Sequence, residues 1–288
     1  MRPVFVGDVQ GCADELDDLL GRVAERLGAG FALWQVGDLV NRGPANVRVL
    51  ARMRDLVEAG RGHAVLGNHE IHLLKAAFGL EKPRALDTYT EVLAHPDARE
   101  WIAWLRRLPV AVIATLGETP FAMVHAAVHP DWALDDVAER ANAIGELLGH
   151  ADESVARAFL AGERDRELAD ALGLFTLCRG MTPDGRWSPE YPGSRDARGI
   201  ARVAWHEPWS ARGHAYGVVY GHWAMQGLHV APGLRGLDTG CVHHGRDHDG
   251  FLTAWLPEPG DMRPFATPDS RFLKVLAHRR YHREAAGG

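Results

Sequence analysis

Gly37-Asp38-Leu39-Val40-Asn41-Arg42-Gly43-Pro44 sets a carboxylate on a tight glycine turn with a guanidinium four residues later. The run before it, Leu33-Trp34-Gln35-Val36, is short and apolar, so Asp38 is expected where a buried strand empties into a loop. From there a carboxylate can reach a metal ion, and the planar fork of Arg42 can pair with phosphate oxygens. Two further turns have the same form: Val4-Phe5-Val6 runs into Gly7-Asp8-Val9-Gln10-Gly11, and Ala64-Val65-Leu66 into Gly67-Asn68-His69-Glu70. Asp8, Asp38 and Asn68 stand at intervals of 30 residues, the span of a strand, a crossover helix and the next parallel strand. The spacing predicts three turns gathered at one edge of one sheet.

The elements that must carry these turns are legible around them. Residues 14–27 put Leu16, Leu19, Leu20, Val23 and Leu27 on one helical stripe, with acids at the start that suit the helix dipole. A second crossover helix is expected over about 45–58, with Val47, Leu50, Met53 and Val57 inward. The pattern is helical between His72 and Pro109, then strand-like at Val110–Ala114 and at Phe121–Val124, which delivers His125. Residues 134–172 are helical and alanine-rich, 180–213 read as loop with Trp187, Tyr191, Trp205 and Trp209, and Tyr216–Tyr220 is a buried strand feeding His222. Leu234–Asp238 and Phe251–Leu256 are strand-like, and Arg271–Arg283 reads as a basic helix. We read one domain over 1–260, with helical cap insertions at about 73–108 and 130–180, and a basic helical tail over 261–288; no Gly/Ser linker divides it.

Composition excludes several classes. With 46% hydrophobic and 24% charged residues in 288, the chain is an ordinary globular protein able to bury a full core. A net charge of −6 implies no basic nucleic-acid surface, so a polyanion would have to be attracted locally. The start, Met-Arg-Pro-Val-Phe-Val, enters a strand at once and leaves no room for a signal peptide, and the apolar run Val110–Leu116 is far short of the ~20 residues that span a bilayer. Cys12, Cys178 and Cys241 are scattered and form no CxxC pair, which reads as reduced thiols in a cytoplasmic protein.

The GD…GDxxxRG…GNH[DE] series resembles the metallophosphoesterases of the phosphoprotein-phosphatase-like branch. Gly67-Asn68-His69-Glu70-Ile71-His72-Leu73-Leu74, Gly221-His222-Trp223 and Leu237-Asp238-Thr239-Gly240-Cys241 narrow the similarity to the symmetrical bis(5′-nucleosyl)-tetraphosphatases, over roughly residues 3–256. The resemblance implies an α/β fold, a four-layered αββα sandwich with a helical cap. It implies that Asp8 and Asp38 hold a first metal, that Asp38 bridges to a second, and that Asn68, His125 and His222 complete the second. Oxygen ligands with two histidines suit Mn²⁺, and also Mg²⁺, Co²⁺ or Fe²⁺. His69 would protonate the leaving phosphate oxygen, while Arg42 and Arg179, the latter placed only by its order along the chain, would hold non-bridging oxygens.

Two positions depart from the family pattern. Gln10 stands where the first turn usually has a metal-binding histidine, and Gly221-His222-Trp223-Ala224 offers no second one. The first site is therefore expected to be water-rich and loosely held, with the Gln10 carbonyl oxygen as a weak ligand. Asn41 stands where many phosphoprotein phosphatases have an aspartate that orients the general acid; it could accept a hydrogen bond from His69 without raising its pKa as a carboxylate would.

Other suggestive residues have plainer readings. His243-His244-Gly245-Arg246-Asp247-His248-Asp249 has a metal-like composition but no supporting element, so it reads as a rim loop in which His243 and His244 could help to hold substrate. Asp238-Thr239-Gly240 copies the aspartic-protease triplet once only and reads as a strand end satisfying nearby backbone. Cys12 and Cys241 read as packing. Trp187, Trp205, Trp209 and Trp223 could stack on a nucleobase, Trp187 and Trp223 foremost, with core packing as the reading for any single one.

These readings converge on a metal-dependent hydrolase that cuts diadenosine tetraphosphate and related dinucleoside polyphosphates into two nucleoside diphosphates. Nucleoside-tetraphosphate caps on RNA present similar chemistry and are a further candidate substrate. No membrane and no obligate protein partner are expected. The alternatives are a protein serine/threonine phosphatase of the same superfamily and a non-catalytic scaffold on the same fold.

Overall fold

β1 (Arg2–Val6), β2 (Phe31–Gln35) and β3 (Gly62–Ala64) pair in parallel, with α1 (Ala13–Leu27) and α2 (Asn46–Glu58) as the crossovers. The computed structural model describes residues 1–245, 248–266 and 271–281. Leu16, Leu19 and Val23 of α1 and Val49, Leu50 and Met53 of α2 are buried, as their 3.6-residue spacing requires. α3 (Asn68–Ala77), α4 (Thr90–Ala94) and α5 (Ala98–Leu105) follow, and the hairpin β4 (Ala111–Leu116) and β5 (Thr119–Val124) opens a second sheet.

α6 (Leu134–Leu148), α7 (Glu153–Leu160) and α8 (Arg166–Leu177) lead to a small antiparallel sheet of β6 (Gly180–Met181), β7 (Trp187–Ser188) and β8 (Val203–Ala204), and then to α9 (His206–Arg212). β9 (Gly217–Tyr220), β10 (His229–Ala231) and β11 (Leu234–Gly236) complete the second sheet. β12 (Phe251–Trp255) and β13 (Phe272–Leu276) complete the first.

The sheets run β13-β12-β1-β2-β3 and β10-β11-β9-β5-β4. Their facing sides enclose Phe5, Val36, Phe121, Met123, Val219 and Trp255. Phe5 is the pivot: its ring meets Phe121 edge-on at 5.4 Å and stacks on Trp255 at 5.1 Å. α1 packs on β12 and β13 and α2 on β3, outside the first sheet; α6 packs on β4 and β5, outside the second. The result is the four-layered αββα sandwich that the motif series implied. β5 and β9 run parallel, so the chain leaves both at the same sheet end and places His125 and His222 side by side.

The structure differs from the sequence reading in three places. Arg271–Arg283 was expected to be a basic helix, but Phe272–Leu276 is strand, antiparallel to β12 with Leu252 opposite Val275. Its alternation, with Val275 buried and Lys274 exposed over the Phe251 ring at 5.7 Å, is that of a half-covered edge strand; Arg283 lies outside the described residues. Residues 180–213 form β6–β8 and α9 rather than loop, and strands of two residues carry no periodicity to read. Within 130–180, α6 is the outer layer of the sandwich, and α7 and α8 pack on it.

The end of the described chain is tied back to its start. The Glu15 carboxylate, fully buried on α1, accepts from the His278 backbone N–H at 2.7 Å and from the Tyr281 hydroxyl at 2.6 Å. Cys12 and Cys241 are buried beside it. No helix among the described residues is long and apolar enough to cross a membrane.

Candidate functional site

Asp8 follows β1, Asp38 follows β2, Asn68 opens α3, His125 follows β5 and His222 follows β9. The backbone that gathers them is strained. Six non-glycine residues among those described have positive φ, and five belong here: Gln10 (47°), Asp38 (57°), Asn41 (82°), Arg42 (65°) and His222 (69°). Such conformations cost of order 1–3 kcal/mol each, and they persist where the surrounding structure over-determines them, as at binding sites. Two glycines of the motifs are required by space: a Cβ at Gly67 would fall on Asp38 Oδ1, and one at Gly221 on Asp8 Oδ1.

Each histidine has its tautomer set by a backbone carbonyl. His125 Nδ1 donates to Val36 O at 2.9 Å and His222 Nε2 to Leu177 O at 3.1 Å. The remaining nitrogens, His125 Nε2 and His222 Nδ1, then point bare lone pairs at Asn68 Oδ1, 3.1 and 2.9 Å away. Asp38 Oδ1 lies 3.4 Å from the same His125 nitrogen. Burial, first of all, holds both imidazoles below the ordinary histidine range and so neutral. Acceptor atoms converge here with no proton between them, and a carbonyl-anchored imidazole is the usual support of a metal ligand. A divalent cation fits this donor set.

The neighbouring carboxylates fit a second cation. Ligand atoms of Asp8, Asp38 and His125 lie within 4.8 Å of one another, all buried. Burial, then Asp238, then Asp38 push the Asp8 carboxyl well above its usual value. Burial likewise pushes Asp238 up to about 7. Like charges packed in a dry site call for a cation between them. Gln10 is present, but Nε2 donates to Asp38 Oδ2 at 3.2 Å, so the amide nitrogen rather than the oxygen faces the shared carboxylate.

Glu70 holds the Asp38 turn open. One carboxylate oxygen accepts from Gly67 N at 2.8 Å and Asp38 N at 2.9 Å, and the other from Leu39 N at 2.9 Å and Val40 N at 3.1 Å. A strained turn leaves amides without ladder partners, and this buried side chain satisfies them.

His69 sits beside the cluster with Nε2 3.6 Å from Asp38 Oδ2. The Asn41 amide is fixed by its surroundings: Oδ1 accepts from Arg42 N at 2.9 Å and Thr88 N at 3.0 Å, so Nδ2 donates to His69 Nδ1 at 2.8 Å and to Asp87 Oδ1 at 3.0 Å. This corrects the sequence reading, in which Asn41 accepted from His69. With Nδ1 serving as acceptor, the His69 proton sits on Nε2, toward the cluster. Burial, with Arg42 and His72 adding to it, lowers His69 to about 4. Arg42 reaches Asp87 at 3.5 Å and lines a cleft with His69 and Asn68.

Arg179 arrives at the site: Nη2 donates to His222 O at 3.4 Å, and Nε is buried with no partner among the described residues. Its guanidinium lies 5.1 Å over the Tyr191 ring, and Tyr191 is 6.2 Å from Trp223. Trp187 is placed elsewhere, its indole N–H on Asp170 at 2.9 Å and its ring against Gly173 of α8. His244 Nδ1 accepts from Gly250 N at 3.1 Å and closes its own loop, and His243 ends a 3₁₀ turn over Cys241–His243. Arg246 and Asp247 of that loop lie outside the described residues.

The roles of Glu70 and Asp87 had no counterpart in the sequence reading. Glu70 carried a signal, as the last residue of the Gly67–Glu70 motif; Asp87 stands in the helical insertion with none.

Comparison with known proteins places the chain in a family. The sequence model of the calcineurin-like phosphoesterases matches residues 1–226. A protein of Ralstonia nicotianae named symmetrical bis(5′-nucleosyl)-tetraphosphatase is 38% identical over 257 residues, 85% of this chain and 87% of its own. One of the same name from Paracidovorax citrulli is 36% identical over 253 residues, 83% and 88% of the two chains. A solved protein provisionally described as a diadenosine tetraphosphatase superposes with a TM-score of 0.61 at 25% identity, over 96% of this chain and 93% of that one. A protein serine/threonine phosphatase from Saccharomyces cerevisiae, 13% identical with a TM-score of 0.54 over 99% and 82%, shares the fold. By its motifs, its fold and these relatives, the chain belongs to the calcineurin-like phosphoesterase family, in the branch whose relatives carry the name symmetrical bis(5′-nucleosyl)-tetraphosphatase.

Proposed function

We propose that this chain hydrolyses dinucleoside tetraphosphates such as diadenosine tetraphosphate at the central anhydride, releasing two nucleoside diphosphates. The observation that carries this is the Asn41 amide donating to His69 Nδ1. An alkoxide leaving from phosphoserine needs a full proton, which an imidazolium braced by a carboxylate supplies. A nucleoside diphosphate leaves as a weakly basic phosphate, with a pKa of about 6, and needs only a hydrogen bond. The neutral His69 with its Nε2–H provides that and no more.

In this reading Asp38 would serve both cations, Asp8 the first, and Asn68, His125 and His222 the second, with Gln10 holding the shared Asp38 carboxylate through its amide N–H. Mn²⁺ suits the mixed oxygen and nitrogen set. When bound, the two cations supply Lewis acidity, acidifying water and neutralising phosphoryl oxygens. Arg42 and Arg179 flank the cluster and hold non-bridging oxygens through charge-assisted hydrogen bonds. Tyr191 and Trp223, beside Arg179, offer ring faces to one base. The same register would open a nucleoside-tetraphosphate cap on an RNA 5′ end.

The test is anion-exchange analysis of products from diadenosine tetraphosphate with Mn²⁺, beside His69→Ala and a phosphopeptide. ADP as sole product, diminished in the variant, is expected. ATP plus AMP would show an asymmetric register, and phosphopeptide turnover without nucleotide turnover would replace this reading with a protein phosphatase.

A further inference from the structure

The cleft that starts at His69 and Asn68 ends on two cations with nothing to hold. It is lined by Arg42, Lys82 and Arg84, and by the acids Glu81 and Asp87. Both acids are already engaged. Glu81 accepts from Lys75 at 3.2 Å and lies 3.0 Å from His72 Nδ1, while Asp87 accepts from Asn41 and from the Arg84 backbone N–H at 2.7 Å. The Lys82 and Arg84 side chains are exposed and make no hydrogen bond or ion pair among the described residues. The chain carries a net charge of −6, which opposes a polyphosphate everywhere except where cations outnumber acids.

We propose that Arg42, Lys82 and Arg84 form the binding site of the departing nucleoside diphosphate. The inference rests on the phosphohydrolase reading above, in which His69 faces the leaving oxygen. His69 lines this cleft, so the phosphates beyond that oxygen enter it. Arg42 meets the nearer phosphate beside His69, and Lys82 and Arg84 meet the outer one, where an exposed ammonium and guanidinium can follow a flexible diphosphate. The register in which AMP departs is disfavoured. A leaving group with one phosphate does not reach Lys82 and Arg84, so AMP is a poorer leaving group here than ADP. The segment after α3, which carries Lys82 and Arg84, thereby helps to set the cleavage register.

The test uses the full chain loaded with Mn²⁺ and compares wild type, K82A/R84A and K82R/R84K. Three quantities are read: kcat/KM on diadenosine tetraphosphate, inhibition by added ADP, and hydrolysis of bis(p-nitrophenyl) phosphate, whose leaving group carries no phosphate. K82A/R84A is expected to lose about tenfold in the first and to be inhibited about tenfold less tightly by ADP. The third should fall far less, with metal content and Tm retained, and K82R/R84K should recover most of the loss. An active wild type with unchanged ADP inhibition in K82A/R84A would overturn this inference alone, as would an equal fall on both substrates. A wild type that yields no ADP from the tetraphosphate would overturn the underlying reading and this one together.

Discussion

Asn41 Nδ2 donates to His69 Nδ1 at 2.8 Å while its second proton goes to Asp87, so the amide cannot turn over and His69 cannot carry a proton on that nitrogen. Asn41→Asp replaces the donor with an acceptor and stabilises the imidazolium, which raises the His69 pKa from about 4. Activity that depends on the imidazolium is present below the raised pKa and lost as pH rises through it. The variant should gain roughly tenfold in its ratio of p-nitrophenyl phosphate to diadenosine tetraphosphate hydrolysis, with a new descending limb in the phosphomonoester pH profile. An unchanged ratio would mean that the Asn41 contact does not select the leaving group.

Glu70 meets four backbone amides with two oxygens, so Glu70→Gln turns an NH₂ group against two of them with almost no change in shape. The expected cost is about 1–3 kcal/mol of stability. Because the amides belong to the turn that aims Asp38, Mn²⁺ affinity should also fall, about 10–100-fold. Thermal melts and a metal titration report the two effects separately. Normal affinity with a lowered Tm would assign Glu70 to folding alone.

Removing metal should matter more at high pH. In the metal-free protein, Asp238 keeps its proton up to about 7 because burial disfavours the carboxylate, whereas the unfolded chain loses it near pH 4. Between these values the folded state binds more protons, so its contribution to stability is full below pH 4 and lost as pH rises toward 7. A bound cation removes that loss. The Tm gap between Mn²⁺-loaded and chelator-treated protein should therefore be wider at pH 8 than at pH 6, by about 1.4 kcal/mol in stability. An equal gap at both pH values would detach Asp238 from the metal centre.

Tyr191 is 47% exposed, a large aromatic left open beside Arg179. If a base stacks there, Tyr191→Ala raises KM for diadenosine tetraphosphate about tenfold and leaves kcat near its starting value. Inorganic tetraphosphate, which has no base, should bind the variant and the wild type equally.

The three metal-turn segments could be read because glycine, an oxygen-bearing side chain and a 30-residue interval are each local or periodic properties. The interval placed the three turns at one sheet edge, and the four-layered sandwich followed from the family resemblance that the motifs carry. Asp87, Lys82 and Arg84 could not, since their meaning depends on how an irregular segment folds over His69. Trp187 misled for the converse reason: an aromatic in a polar stretch looks available until the helix it packs on is seen. The direction of the Asn41 hydrogen bond was hidden too, because it is settled by Thr88 N, 47 residues away.

The return of the last described strand to the first sheet also bears on how the protein is made. β1 receives its antiparallel neighbour only when β12 is synthesised, and Glu15 gains its partners only with His278 and Tyr281. Until then the nascent chain exposes an unpaired strand edge and a carboxylate with no place in a core. The turns after β1 and β2 thus wait, during synthesis, on strands that come far later in the chain.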